Sequence, residues 1–207
     1  MALEESAHSL ARAEAHRVDI GLCNNIPFLL WAGVGLDGFV VHRIEPRPRW
    51  KKQFAVVQYA ASAVWNARSW HGQYLNIEAD GKKMGGHYLL AVVTNIHLYA
   101  GGVAELYPEA RLDDGKMDLW LFLGETLGDT VMRAWDVWSG RHVQSESVIR
   151  LPFRSLTMES DVGLFVQLDG EPVEGNGNVS IRVLPLALRV LVPQKTPHLL
   201  FSESGSS

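Results

Sequence analysis

Polar and apolar residues alternate along much of the chain with the two-residue period of β-strands. The clearest instance is the segment YLNIEAD, which is followed by Asp80-Gly81 and then by KKMGGHYLLAVVTNI. Because Asp-Gly favours a tight two-residue turn, this pattern predicts a β-hairpin. Similar segments, bounded by Asp, Gly and Asn residues, predict further strands over MDLWLFL, VIRLPFRSLTME, GLFVQLDG and VSIRVLPLALRVLV. The nearly continuous apolar segment FLLWAGVGLDGFVV predicts buried strands with a sharp turn or bulge at its glycines.

Apolar residues at steps of three and four predict three helices. The first extends from Ala2 to about Arg17, where good helix formers dominate. The second follows Pro48 and has an apolar face between Trp50 and Trp65. The third begins near Thr126 and stops at Gly140. Many strands with short turns, and two or three helices that do not alternate with them, predict a mainly β fold, a two-layer antiparallel β-sandwich.

Composition restricts the class of protein rather than its activity. The chain has 207 residues, of which 47% are hydrophobic and 20% charged, so it is long enough to bury a core without disulfides or metals. We expect one domain over residues 1–201 and a disordered tail over 202–207. The net charge of −4 argues against a nucleic-acid partner. The single cysteine, Cys23, cannot form an internal disulfide, which suits a reducing cytoplasm.

Membrane contact is expected to be peripheral at most. No apolar run approaches the ~20 residues that a membrane-spanning helix needs, so we expect a cytoplasmic protein. A basic cluster before the second predicted helix offers a contact for anionic lipid headgroups. A solvated helix end is the simpler explanation of these residues, Arg47, Arg49, Lys51 and Lys52. The sequence leaves the oligomeric state open, a homodimer included.

Three clusters of glycines and acids are candidates for chemistry. The first, GVGLDG at 33–38, has two glycines of a dinucleotide-binding fingerprint. No good helix start follows it, so a strand bend with close backbone approach is the favoured interpretation. The second cluster ends in Asp113-Asp114-Gly115. It either forms a turn or supplies a carboxylate to Mg²⁺, with loop carbonyls beside it.

The third cluster is Asp169-Gly170-Glu171. In an extended strand, the side chains of Asp169 and Glu171 project to the same side. Two close carboxylates repel each other, which suits one of them to accept a proton from a hydroxyl. A solvated hairpin turn explains the same residues and is favoured on this motif alone. None of the three clusters specifies an activity by itself.

Taken in order, the clusters resemble the carboxy-terminal part of the diacylglycerol kinase catalytic family, which includes bacterial lipid kinases, sphingosine kinases and ceramide kinases. The resemblance begins at RVDIG and continues through AGVGLDGFVV, VVTNIHLYAGG, PEARLDDGKMDLWLF and VQLDGEP to the closing strand VSIRVLPLALRVLVP. It implies the C-terminal β-sandwich of the NAD kinase and diacylglycerol kinase fold. It also implies transfer of the ATP γ-phosphoryl group to a lipid hydroxyl, with Mg²⁺ as cofactor.

The resemblance implies roles for individual residues. Glu171 resembles the proton acceptor, with Asp169 assisting it. Asp169, Gly170 and Glu171 together would contact magnesium-nucleotide. Apolar residues between Phe28 and Phe39, and along the helix predicted at 50–65, are candidates for lining an acyl channel, although a plain core explains them equally well.

The same resemblance implies a magnesium site in the second cluster. Asp114 resembles its carboxylate ligand, with the backbone carbonyls of Arg111 and Lys116 alongside. Lys116 replaces an apolar residue that is frequent in the family, a mild departure because only its carbonyl would be used.

One larger departure limits what this chain does alone. The Gly-Gly-Asp-Gly-Thr phosphate loop of the family's nucleotide half occurs nowhere in the sequence. We therefore expect that the N-terminal nucleotide-binding domain, which holds most of the ATP, is absent from this chain and that the isolated chain is inactive. Two alternatives stay open: a non-catalytic module that binds lipid or a partner, and an enzyme related to NAD kinase that acts on a soluble dinucleotide.

Overall fold

The computed structural model describes residues 3–44, 70–99, 104–124, 128, 147–194, 196 and 200–202. The helix predicted at 50–65 and the basic cluster at 47–52 lie outside these residues. So do the helix predicted at 126–140, apart from Gly128, and residues 203–207 of the predicted tail. Neither helix within the described ranges is long and apolar enough to cross a membrane.

The described residues form two helices and thirteen strands. The helices are α1, Leu3–Ala11, and α2, Leu36–Ile44. In chain order, the strands are β1 Glu14–Cys23, β2 Ile26–Phe28, β3 Trp31–Gly35, β4 Gln73–Ala79, β5 Lys82–Thr94, β6 Leu98–Tyr99, β7 Ala104–Glu105, β8 Met117–Leu123, β9 Val148–Phe153, β10 Ser155–Glu159, β11 Leu164–Leu168, β12 Glu171–Gly175 and β13 Asn178–Val192. The mostly β, antiparallel fold expected from the sequence is confirmed.

Eleven of the described strands form one antiparallel sheet, and β6 pairs with β7 separately. The order along the sheet is β12-β11-β3-β5-β4-β10-β13-β1-β2, and β8 and β9 branch from β5. The branch arises because β5 changes neighbours along its length. Residues 82–88 pair with β4, whereas residues 90–94 lie between β3 and β8. The layers of the sandwich-like fold are therefore parts of one curled sheet.

The predicted hairpin between β4 and β5 is confirmed. Asp80 and Gly81 form its turn with positive φ angles of 47° and 82°, as expected for an Asp-Gly pair. The Asp80 carboxylate also accepts the backbone N–H of Ser155 at 2.8 Å, which ties the turn to the start of β10.

The first helix is shorter than the sequence predicts. α1 ends at Ala11, and the residues from Glu14 onward form β1, which pairs with β13 from Glu14↔Val192 to Cys23↔Ile181. Helix propensities differ by only tenths of a kcal/mol per residue. A long partner strand therefore overrides the helix preference of residues 14–17.

The prediction of strands throughout 26–41 is wrong beyond Gly35. β3 ends at Gly35, which has a φ of 89°, and α2 begins at the next residue with Asp37 in its first turn. Glycine adopts this backbone angle at low cost, and an acid in the first turn favours a helix start. α2 then packs against the sheet through a separate buried cluster, formed by Leu36, Phe39, Val40, Trp70 and Leu89.

The main core lies on the inner face of the curled sheet. β4 shows the alternation that this requires, with Leu75 and Ile77 buried and the residues between them exposed. β8 is buried on both faces, because Leu119 and Leu121 join the main core while Trp120 packs in another cluster. Burial on both faces explains the continuous apolar sequence of β8.

Candidate functional site

Asp169 and Gly170 form the two-residue turn between β11 and β12. Their φ angles are 48° and 90°, and Leu168 pairs with Glu171 across the turn. The expectation that Asp169 and Glu171 project from one side of an extended strand is therefore wrong. The hairpin turn, which the motif alone favours, is what the structure contains.

The Asp169 carboxylate accepts three backbone N–H groups from the segment between β2 and β3. Leu29 donates to Oδ2 at 2.7 Å, and Leu30 and Trp31 donate to Oδ1 at 2.8 and 3.0 Å. The Asp169 N–H donates in return to the Trp31 carbonyl at 2.9 Å. Hydrogen bonds to an ionised acceptor are stronger than neutral ones. Asp169 therefore fixes the 29–31 segment, and this geometry supports a positioning role for it.

Glu171 is exposed at the beginning of β12, beside this turn. The turn is also fixed from the opposite direction. The Gly170 N–H donates to Gln167 Oε1 at 2.7 Å, and Gln167 Nε2 donates to Asp37 Oδ2 at 2.6 Å. Gln167 and Asp37 are both buried. Glu171 is thus an exposed carboxylate next to a turn that two buried side chains hold in place.

Gly33 makes room for the contact between Asp37 and Gln167, and Gly38 lets α2 approach β11 closely. A Cβ on Gly33 would overlap the Asp37 carboxylate, and a Cβ on Gly38 would overlap the backbone of Phe165. The close backbone approach expected from these glycines is confirmed. Asp37 was not predicted as part of the site, because the helix that carries it was predicted as strand.

The second cluster forms a compact loop before β8. Asp114 Oδ1 accepts the Lys116 N–H at 3.0 Å, and Gly115 between them has a φ of 72°. Arg111, Asp114 and Lys116 line one cleft of about 660 Å³. The three residues expected to bind Mg²⁺ therefore lie together.

The oxygen atoms of this loop fit a hard cation. One carboxylate and two backbone carbonyls suit Mg²⁺, which usually keeps several water ligands. Across the described ranges, no group of three or more His, Cys, Asp or Glu side chains could hold a metal ion. A cation here would be held by the Asp114 carboxylate and the carbonyls of Arg111 and Lys116, with water completing its shell.

Asp19 of β1 supports the loop from beneath, a role that the sequence did not predict. Asp19 is fully buried, its Oδ2 accepts the Gly115 N–H at 2.6 Å, and its Oδ1 accepts the Leu186 N–H at 2.7 Å. It lies at an irregularity in the pairing of β1 with β13, between Val18 and Ile20. The only sequence signal for it is an acid between two apolar residues of a strand.

Burial is the main reason why the pKa of Asp19 is raised above the ordinary value of 3.8. The N–H groups of Leu186 and Gly115 oppose this change, and the nearby charges of Asp114 and Asp113 add to it. The carboxylates of Asp113 and Asp114 thus oppose ionisation of the buried Asp19 beneath the loop.

The loop is also attached to residues near the end of the chain. Asp113 accepts the Ser202 N–H at 2.7 Å and the Ser202 hydroxyl at 2.8 Å. The Leu112 N–H donates to the Leu200 carbonyl at 2.9 Å. These bonds hold the start of the loop, where the Asp19 N–H also donates to the Leu112 carbonyl at 2.6 Å.

Asn95, which follows β5, connects the loop with the Asp169 turn. Its Nδ2 donates to the carbonyls of Asp19 and Leu29 at 2.9 and 3.0 Å, and its backbone N–H donates to the Leu30 carbonyl at 2.9 Å. Since the N–H groups of the 29–31 segment bind Asp169, hydrogen bonds run from Asp169 through Asn95 and Asp19 to Gly115. The second and third clusters thus belong to one network.

An aromatic cleft of about 600 Å³ lies beside α2, lined in part by His42, Trp70 and Phe165. The ring of Phe39 packs 5.1 Å from that of Phe165 and 5.2 Å from that of Trp70. Phe39, one of the residues expected to line an acyl channel, is buried against the lining rings of Trp70 and Phe165 and does not itself line the cleft. Phe28 does not line it either, because it is buried in the main core.

The fold and these clusters define the class of protein. The sequence matches the family described as the YegS C-terminal NAD kinase beta sandwich-like domain over residues 32–192. The chain belongs to this family, in agreement with the resemblance to the C-terminal part of the diacylglycerol kinase family.

Curated relatives show the same similarity over nearly the whole chain. A Pseudomonas aeruginosa protein described as "Probable lipid kinase YegS-like" is 29% identical over 194 residues, which cover 94% of this chain and 62% of the relative. A Pseudomonas fluorescens protein of the same description is 28% identical over 198 residues, covering 93% and 61%. The chain thus spans about three fifths of the length of these relatives.

A solved structure shows the same fold. The crystal structure of a diacylglycerol kinase from Bacillus anthracis superimposes with a TM-score of 0.61 at 16% sequence identity, covering 92% of this chain and 58% of that chain.

Proposed function

We propose that this chain is the substrate-side, carboxy-terminal domain of an ATP-dependent lipid kinase, which transfers the γ-phosphoryl group to a lipid hydroxyl. The observation that carries the proposal is the exposed Glu171 carboxylate beside a turn held by Asp169 and, through Gln167, by Asp37. Membership of a family whose relatives are described as probable lipid kinases supports the lipid class of acceptor.

Glu171 accepts the proton of the attacking hydroxyl in this proposal. A general base must reach the hydroxyl in a fixed position, and Glu171 combines solvent access with a rigid turn. Asp169 assists by positioning, through its bonds to the 29–31 segment. Open space surrounds the position that a Cβ would take at Gly170, which leaves room for magnesium-nucleotide at the turn.

Mg²⁺ bound at the Asp114 loop would neutralise negative charge there. The chain's own contribution is to hold the loop that carries the ligands: the Lys116 N–H donates to Asp114, and the Gly115 N–H between them donates to Asp19. A separate nucleotide-binding domain would supply most of the ATP contacts, because the family's phosphate loop does not occur in this sequence. The aromatic cleft beside Phe165 offers an apolar surface for the acyl chain, with the protein peripheral to the membrane.

A chimera tests this proposal directly. This chain would replace the matching part of the Pseudomonas aeruginosa relative, so that the relative supplies the remaining domain. Phosphate transfer from radiolabelled ATP would be measured with diacylglycerol, sphingoid and phosphatidylglycerol acceptors in mixed micelles. We expect the chimera to phosphorylate at least one acceptor and the isolated chain to remain at background. A folded, ATP-binding chimera that binds the lipids but phosphorylates none of them, beside an active relative, would favour the non-catalytic module instead.

A further inference from the structure

His42 of α2 contacts both strands of the β11–β12 hairpin, which carries Glu171. The His42 Nε2 lies 2.9 Å from the Val166 carbonyl oxygen on β11 and 3.1 Å from the Val173 carbonyl oxygen on β12. Carbonyl oxygens only accept hydrogen bonds, so the hydrogen of a neutral His42 ring is assigned to Nε2, which shares it between the two oxygens. Val166 and Val173 lie opposite each other in the register of the two strands. One side chain thus bridges the hairpin from strand to strand.

The backbone of α2 comes close enough to β11 for this contact because position 38 is a glycine. A Cβ on Gly38 would overlap the backbone of Phe165 and Val166. His42 lies one helical turn further along the same face of α2. Its ring also packs edge-to-face against the Phe165 ring, with 5.6 Å between the two centroids. Packing and hydrogen bonds therefore fix the direction of the imidazole together.

Three side-chain attachments hold this hairpin, and they act on different parts of it. Asp169 holds the turn through its bonds to the segment before β3. Gln167 holds β11, because its amide donates to Asp37 at 2.6 Å. Of these three attachments, only that of His42 reaches β12, the strand that begins with Glu171.

We propose that His42 is a positioning residue for Glu171, and that its Nε2–H sets the position of β12 against α2. Pro172 alone separates Glu171 from Val173, and its ring restricts the backbone between them. A constraint on the Val173 carbonyl is therefore passed on to Glu171. A general base needs such a constraint, because a small misplacement lowers the rate strongly. The role of Glu171 as proton acceptor rests on the proposed function, whereas the hold of His42 on the hairpin does not.

Two substitutions separate the hydrogen-bond donor of His42 from its ring. His42→Gln keeps an N–H donor and loses the ring, whereas His42→Phe keeps a ring against Phe165 and loses the donor. Hydrogen exchange followed by NMR would compare the backbone amides of Glu171 and Val173 with those of β4. We expect the Glu171 and Val173 amides to exchange about tenfold faster in His42→Phe than in wild type, and within about threefold of wild type in His42→Gln. The β4 amides should keep their rates, which shows that both variants are folded. Equal exchange in the two variants, or faster exchange in His42→Gln, would overturn the proposal.

The unmodified chain offers a measurement that needs no variant. Nitrogen-15 NMR at about pH 8, where an ordinary histidine is neutral, reports which ring nitrogen of His42 carries the hydrogen. We expect it on Nε2, between the two carbonyl oxygens. A neutral ring with its hydrogen on Nδ1 would overturn the proposal, since Nε2 would then have nothing to donate.

The kinase chimera gives a readout that a purely structural role would not move. In His42→Phe, kcat for the lipid acceptor should fall roughly tenfold or more while KM stays within about twofold, and His42→Gln should restore kcat. His42 also lines the aromatic cleft, so a change confined to KM would assign it to lipid binding and would overturn the proposal. A chimera without activity, beside the expected exchange pattern in the chain itself, would count against the proposed function alone.

Discussion

Asp169 Oδ1 accepts the backbone N–H of Leu30 at 2.8 Å, which joins two residues that are 139 positions apart in sequence. The Leu30 carbonyl accepts the Asn95 N–H at 2.9 Å, so Leu30 lies between the turn that carries Glu171 and the network that reaches the Asp114 loop. These hydrogen bonds give Asp169 a role in holding the fold together, whether or not it takes part in catalysis.

Asp169→Asn should destabilise the protein by about 1–2 kcal/mol. An amide offers one acceptor oxygen where the carboxylate offers two, so at least one N–H of the 29–31 segment loses its partner. Urea unfolding followed by tryptophan fluorescence measures the change. Asp161→Asn is the matched control, since Asp161 is exposed in the loop before β11. Equal stability of the two variants would show that Asp169 does not hold the segment.

Gly33→Ala should destabilise the protein by about 1–3 kcal/mol. The added methyl group would overlap the Asp37 carboxylate, and relief requires that the bond from Gln167 to Asp37 be broken. Thermal unfolding by circular dichroism reports the loss. The control is Gly163→Ala, where no atom lies within 4 Å of the added group and the effect should stay within about 0.5 kcal/mol. A neutral Gly33→Ala would mean that this part of the fold is less closely packed than the structure shows.

Asp19→Asn should change how stability depends on pH. Because burial raises the pKa of Asp19 in the folded state above 3.8, the folded protein binds the proton more tightly than the unfolded chain does. The stabilisation that protonated Asp19 gives the wild-type protein is therefore complete below pH 3.8. It is lost as the pH rises through the folded-state pKa of Asp19. The variant lacks this component, so its free energy of unfolding relative to wild type should rise with pH above 3.8.

Urea unfolding of both proteins at a series of pH values tests the Asp19 prediction. Asp118, whose pKa is also raised mainly by burial, contributes equally to both proteins and cancels in the difference. A difference that is constant across the acid range, or that falls with pH, would contradict the assignment of the raised pKa to Asp19.

Local pattern was sufficient to predict most of the strands. The Asp80-Gly81 turn and the alternation along β4 depend on neighbouring residues alone, and both are present. The start of α2 was missed because FLLWAGVGLDGFVV has no strong periodicity, and the helix is stabilised by burial against Trp70 and Leu89. Tertiary packing decided the structure of that segment, and such packing leaves no regular spacing in sequence.

The site was predictable only where its residues are close in sequence. Arg111, Asp114 and Lys116 lie in one loop, and they are together around one cleft. Asp19 and Asn95 reach the same network through bonds to backbone groups. Asp37 reaches it from a helix, through the Gln167 side chain. The sequence does not show which backbone group a distant side chain will bind. An isolated acid or amide in an apolar segment was the only sign that such a bond exists.

Glu171→Gln in the kinase chimera is the most direct test of the proposed mechanism. The change removes the base but keeps the size of an exposed side chain, so stability should stay within about 0.5 kcal/mol of wild type. We predict that kcat/KM for the lipid acceptor falls roughly 10²–10⁴-fold, while Glu78→Gln, at an exposed acid on β4, leaves it unchanged. Equal activity of the Glu171→Gln and Glu78→Gln proteins would contradict the assignment of Glu171 as the proton acceptor.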